Sequence, residues 1–257
     1  MSDFDRNYAG ARRGFSADRA VAIDAGLRAH MIRVYNYMTA GVALTGVLAW
    51  LTYQLAGGDA IMVAGGRITG LTAFGQTIFN PVTSIVLLLG TLGLVFFISF
   101  RIHRLEASTA LGLFMLYAGL LGVALSSIFL TYTGASITRV FFISAATFGA
   151  MSLWGYTTQR DLTSMGSFLM MGLFGLILAS LVNMFWPNGT LSLMISVVGV
   201  LIFVGLTAYD TQKIKEYYDV NDDGTITGRK AVMGALSLYL DFINLFLMML
   251  RLLGDRR

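Results

Sequence analysis

The chain has 257 residues, of which 56% are hydrophobic and 12% charged, with a mean hydropathy of +0.71; a soluble domain is roughly 45–50% apolar and 25% charged. A soluble fold of this length could not hide so much apolar surface, and the absence of cysteine excludes disulfides, thiolate metal sites and cysteine nucleophiles. The net charge of +4 flanks apolar runs instead of forming a basic stripe interleaved with exposed aromatics, which argues against nucleic acid and makes the charge a topology signal.

From Met1 to His30 the chain is polar and arginine-bearing, without the apolar core of a signal sequence. Residues 1–32 therefore read as a cytoplasmic N-terminal tail and residues 33–257 as a seven-helix transmembrane domain. Arg19 to Arg33 can form a short helix with Val21, Ile23, Leu27 and Met31 on one side, either resting on the inner membrane surface or serving as a solvated lead-in. Seven apolar runs long enough to cross about 30 Å of hydrocarbon follow. They run near Val34–Ala56, Pro81–Phe100, Thr109–Tyr132, Val140–Tyr156, Met165–Trp186, Leu191–Tyr209 and Ala231–Leu250. No charged residue or histidine lies between Leu162 and Tyr209, and the turn Trp186-Pro187-Asn188-Gly189 splits that stretch into a helical hairpin. The fold class is thus all-α, a polytopic membrane bundle. The 29 glycines against 2 prolines suit helices whose backbones approach closely.

Lys and Arg on short flanks are retained in the cytoplasm. With the N-terminus inside, the inner segments carry thirteen (Arg6, Arg12, Arg13, Arg19, Arg28, Arg33, Arg101, Arg104, Arg160, Lys213, Lys215, Arg229, Lys230) and the outer segments five (Arg67, Arg139, Arg251, Arg256, Arg257). The C-terminus is therefore expected outside.

An ionisable group inside a bilayer costs a few kcal/mol, so one that persists within a span is a functional candidate. Two acidic residues qualify. Asp241 lies in the middle of the seventh run with no other charge from Ala231 to Leu250, and Asp210 closes the sixth just before Thr211-Gln212-Lys213. If the sixth helix continues to about Tyr218, the two lie at similar depth and can face each other. Two carboxylates close together in low dielectric cannot both ionise cheaply and should titrate as a unit. With both protons lost, they form an oxygen-rich site for a divalent cation such as Ca2+. The plainer reading is that each carboxyl hydrogen-bonds a neighbouring helix.

Ser237 and Asn244, at i−4 and i+3 from Asp241, share its helix face and read either as a polar track or as interhelical glue. Arg101 and Arg104, at the inner end of the second run, read either as positive-inside anchors or as a guanidinium latch on the acidic pair. Asp219-Val-Asn221-Asp-Asp223-Gly224-Thr-Ile226 matches the opening of an EF-hand loop, but Lys230 occupies the position where a bidentate Glu is required, so the segment reads as a solvated turn. His30 and His103 lie outside the apolar runs, which leaves no intramembrane histidine relay; no P-loop, dinucleotide fingerprint, HExxH or GxSxG motif occurs.

Thr207-Ala-Tyr-Asp-Thr-Gln-Lys-Ile214 and Ala235-Leu-Ser-Leu-Tyr-Leu-Asp-Phe-Ile-Asn-Leu-Phe246 resemble the C-terminal signatures of the Bax inhibitor-1 (transmembrane Bax-inhibitor-motif) family. Val34-Tyr-Asn-Tyr-Met-Thr39 is similar to its bacterial branch, and the resemblance covers nearly the whole chain from Arg33. It implies seven helices with the last one central, a place in the bacterial inner (plasma) membrane, and no enzymatic activity or tightly bound cofactor. It further implies a pH-sensitive calcium leak in which an aspartyl dyad, here Asp210 and Asp241, senses protons and Ca2+ is the permeant ion. The family's arginine latch falls on Arg101 or Arg104, the spacing around Phe100-Arg101-Ile-His-Arg104 leaving both open. Bacterial relatives are also linked to a membrane-bound AAA protease as modulators, a partner the N-terminal tail would suit. Intramembrane aspartyl proteases likewise place aspartates on their sixth and seventh helices, but their second motif is Gly-x-Gly-Asp, against Leu238-Tyr-Leu-Asp241 here.

Overall fold

The computed structural model describes the backbone of residues 3–64 and 67–257 and the side chains of residues 25–62 and 68–257. Helix α1 (Asp3–Leu55) is followed by a two-stranded antiparallel hairpin, β1 (Met62–Ala64) and β2 (Arg67–Thr69), and by α2 (Ala73–Ile78). The bundle continues with α3 (Pro81–Arg101), α4 (Ala107–Leu125), α5 (Ile128–Thr131), α6 (Gly134–Thr157), α7 (Thr163–Phe185), α8 (Gly189–Glu216) and α9 (Gly224–Leu253). Seven helical segments among the described residues are long and apolar enough to cross a membrane, the first of them Ala25–Leu55. The bundle is all-α; the hairpin lies in the loop between the first two spans.

Polar turn residues set where the spans begin. Asn80, Thr133, Asn188 and Asp223 occupy the N-caps of α3, α6, α8 and α9, each accepting a hydrogen bond from an otherwise unpaired N–H of the first turn, and Pro81 stands at the start of α3, where its missing N–H costs nothing. The third run is one span interrupted after Leu125 by Ser126 and Ser127, whose hydroxyls donate back to Val123 and Ala124 carbonyls. Helix α8 continues beyond its apolar run to Glu216, as the facing of the two aspartates requires. Arg19–Arg33 is helical as part of the single helix α1; its placement on the membrane surface or as a lead-in to the first span falls mostly outside the residues whose side chains are described.

Helix α9 is the centre: 72% of its membrane window is buried, against 17% for α3 and 11% for α7. It packs on α8, α1, α6 and α4, while α3 leans chiefly on α4 and α7 on α8. Tyr239 of α9 is fully buried. Its hydroxyl meets Thr45 Oγ1 of α1 at 2.7 Å, and Thr45 donates to the Ala118 carbonyl of α4 at 2.8 Å. The Phe114 and Tyr117 rings stand edge-on to the Tyr239 ring at 5.4 and 5.9 Å. Two glycines permit close backbone approaches between long helices: a Cβ on Gly122 would come within 2.6 Å of the Thr45 carbonyl oxygen, and one on Gly155 would collide with that of Ala208. Several others, Gly90, Gly93, Gly149 and Gly175 among them, have no neighbour within 4 Å of a Cβ. Helix packing therefore accounts for only part of the glycine excess.

The chain ends at the pole opposite the α8–α9 turn. There Arg257 donates its N–H to the Thr131 carbonyl at 3.0 Å, and Arg139 pairs with Asp255 at 3.0 Å.

Candidate functional site

The segment around Asp210 is held by its neighbours on both sides. Ala208 sits where Gly155 lets α6 touch the α8 backbone, and the Tyr209 ring fills the space over Gly166 of α7. Thr211 Oγ1 lies 2.9 Å from Ser152 Oγ of α6, and Ser152 lies 2.7 Å from Tyr35 Oη of α1. Gln212 clamps the α6–α7 connection, accepting from the Leu162 N–H at 2.9 Å and donating to the Arg160 carbonyl at 2.8 Å. With residues 208, 209, 211 and 212 each committed to another element, the rotation of α8 is determined, and Asp210 points into the one remaining gap.

That gap is a groove of about 590 Å³ between α7, α8 and α9, lined by Asp210, Ser237, Asp241 and Asn244 among apolar side chains. Asp241 is 5% exposed, and its Oδ2 has no hydrogen-bond partner among the described residues. Asp210 is half-buried and within Coulombic range of Asp241. Gly234 packs on Ile214, four residues from Asp210 and seven from Asp241. At 1.5 Å per residue, Asp241 sits roughly 5 Å, about one helical turn, deeper than Asp210. Asn244 spends its amide on the Leu240 carbonyl at 2.8 Å, leaving its carbonyl oxygen to the groove. The α9 face is fixed by the opposite side of that helix, where Phe242 meets Phe141 and Phe148 edge-on, 5.6 Å from each.

The structure does not bring Arg101 or Arg104 to the pair. Both are exposed at the end of α3, and neither makes an ion pair or hydrogen bond to either aspartate among the described residues. The charge acting on Asp210 is Lys213, whose ammonium lies over the rings of Tyr209 and Tyr217 at 5.5 and 5.7 Å. The Asp219–Ile226 loop is closed internally: Asp219 accepts from the Asn221 N–H, Asp223 caps α9, and Lys230 pairs with Asp222 and donates to the Tyr217 carbonyl. A cation thus already occupies the place of a calcium ligand. The described residues contain no cluster of three or more His, Cys, Asp or Glu able to hold a metal, so a cation meeting Asp210 and Asp241 would find two carboxylates plus the neutral oxygens of Ser237 and Asn244.

Sequence reasoning missed two features. His30, expected outside the spans, lies within the first one and is 3% exposed, with its ring against Tyr218 at 5.5 Å. Thr211 and Gln212, the helix-locking residues, were legible only as part of a signature, because their partners are 59 and 50 residues away in sequence.

A bundle of seven apolar helices with a buried carboxyl on a central last helix defines a multi-pass membrane protein with two acidic residues in a mostly apolar groove. The family described as inhibitor of apoptosis-promoting Bax1 matches residues 27–257. The chain is 45% identical to RP147 of Rickettsia prowazekii over 234 residues, 91% of this chain and 92% of that protein. It is likewise 45% identical to the inner membrane protein YbhL of Escherichia coli K12 over 245 residues, 94% and 97% of the two, and 42% identical to a Caulobacter vibrioides protein over the full length of both. The chain belongs to the Bax inhibitor-1 family.

Proposed function

We propose that this protein is a pH-sensitive cation leak of the bacterial inner membrane, with Ca2+ as its natural cargo, in which Asp210 and Asp241 share a proton and control the groove between α7, α8 and α9. The observation that carries the reading is Asp241, a carboxyl buried at mid-span whose Oδ2 has no donor among the described residues and which shares the lining of one groove with a second carboxyl. A purely structural carboxyl would be expected to have its oxygens hydrogen-bonded. Two carboxyls within Coulombic range share protons, so the net charge of the groove depends on pH: the doubly ionised pair attracts a divalent cation, and the protonated pair does not. The membrane assignment draws on the name of the Escherichia coli relative. The orientation, basic end inward, draws on the thirteen-to-five distribution of Lys and Arg. The pair has no bond-breaking role in this reading.

The test is Ca2+ flux after a pH jump in liposomes holding the purified protein. Asp241→Asn and Asp210→Asn should each shift or flatten the pH profile. Retention of the wild-type profile by both variants removes the dyad from the mechanism.

A further inference from the structure

A second groove lies on the opposite side of α9 from the aspartates. Its walls are α1 and α6, which are joined by the Tyr35–Ser152 hydrogen bond, and Phe242 of α9 contributes to its lining. The cavity measures about 610 Å³. It is elongated: Arg28 to Val42 on α1 and Tyr156 to Phe141 on α6 run antiparallel along it, about 21 Å at 1.5 Å per residue. That covers one leaflet and part of the next.

The chemistry changes along this length. The shaft is apolar, with Met38, Ala145 and Phe148 in its walls, whereas Arg28 and Tyr156 stand at the basic end. Lys215 is fastened to that same end, donating to the Tyr156 carbonyl at 3.0 Å with its ammonium over the Tyr156 ring at 5.3 Å. No acidic residue is among those lining the groove. An apolar shaft with Arg28 in its lining and Lys215 held on Tyr156 at the same end suits an anionic amphiphile with an apolar tail.

We propose that this groove is a binding site for one anionic glycerophospholipid of the leaflet at the basic end, with an acyl chain along the α1–α6 shaft and its phosphate at Arg28 and Lys215. A zwitterionic lipid would present the same chain but a neutral head, so the two cations confer the preference; each Lys or Arg near an anionic headgroup adds a modest favourable contribution.

The design of the test comes from Gly149, which lines the groove and has nothing within 4 Å of a Cβ. Gly149→Leu therefore projects a branched side chain into the groove from a Cβ that meets no protein atom. Full-length protein would be exchanged into detergent with equal phosphatidylglycerol and phosphatidylcholine, and bound lipid counted by native mass spectrometry. Wild type should retain one phosphatidylglycerol with roughly tenfold preference over phosphatidylcholine, Gly149→Leu should retain neither, and Arg28→Gln should retain a lipid with a weakened preference, Lys215 remaining. Arg28 is exposed, so that variant folds regardless of how Gly149→Leu behaves. Equal retention of the two lipids by wild type, an unchanged lipid count in Gly149→Leu, or a protein dimer that Gly149→Leu dissociates would each overturn the proposal.

Discussion

Asp241 combines burial with an unsatisfied oxygen, a state in which a polar group costs about 1–3 kcal/mol. Replacing it with an apolar residue of similar length should relieve that cost. Asp241→Leu is expected to unfold about 1–3 kcal/mol less readily than wild type in a detergent melt while losing cation flux, an exchange of activity for stability that a structural aspartate would not show. Tyr239 gives the contrast. Its hydroxyl bonds Thr45, which keeps the Ala118 carbonyl as a partner when Tyr239 is changed, so Tyr239→Phe should cost about 1 kcal/mol in the same melt and leave the pH profile of flux unchanged. Asp161 and Asp219 lie outside the spans; the Thr163 hydroxyl and then its N–H hold Asp161, and the Asn221 N–H holds Asp219, below the usual carboxylate range. A lowered folded value means that their contribution is present above the ordinary carboxylate range and lost only as pH falls through the lowered value. Between about pH 5 and 8 both loop carboxylates stay ionised, and a pH response there must come from other groups; His30→Gln separates the histidine's part from the dyad's.

Helix α8 presents Asp210 to the groove because four of its neighbours are tied to other helices. Gly155→Leu forces α6 away from the Ala208 carbonyl, an overpacking that should cost about 3 kcal/mol and misalign Asp210, so flux and thermal stability fall together. Gln212→Ala leaves the Leu162 N–H without its acceptor and frees the loop bearing Arg160. We expect a loss of about 1–3 kcal/mol and faster tryptic cleavage at Arg160 in the folded protein. Element boundaries were largely legible because caps and the Trp186–Gly189 turn are local chemistry. The hairpin at Met62–Thr69 was not, since its pairing is backbone to backbone and no alternating run marks it.

At the scale of the whole molecule, the peripheral and central helices differ in what their burial allows. Helices α3 and α7 have 17% and 11% of their windows buried, so they contribute least to the core, and displacing either would cost less buried surface than displacing α9. Arg101 and Arg104, at the end of α3, are the groups such a movement would carry. Odd span number places the termini on opposite poles, and the thirteen-to-five distribution of Lys and Arg is the basis for proposing that the N-terminal pole faces inward. A reporter that reads as cytoplasmic when fused after Arg257 would reverse that orientation.

What the sequence by itself determined was the bilayer, the seven spans and the two aspartates, because hydrocarbon thickness and the cost of a buried charge act on composition and need no partners. It also carried the family through signatures around both residues. Only the tertiary structure decided that Asp210, Ser237, Asp241 and Asn244 line one groove, that Asp241 sits a turn deeper than Asp210, and that Thr211 and Gln212 on α8 and Phe242 on α9 set the rotation of the two helices. Those facts depend on the rotation and relative height of helices, which contacts such as Gly155 with Ala208 and Gly234 with Ile214 set across distances that no sequence period encodes.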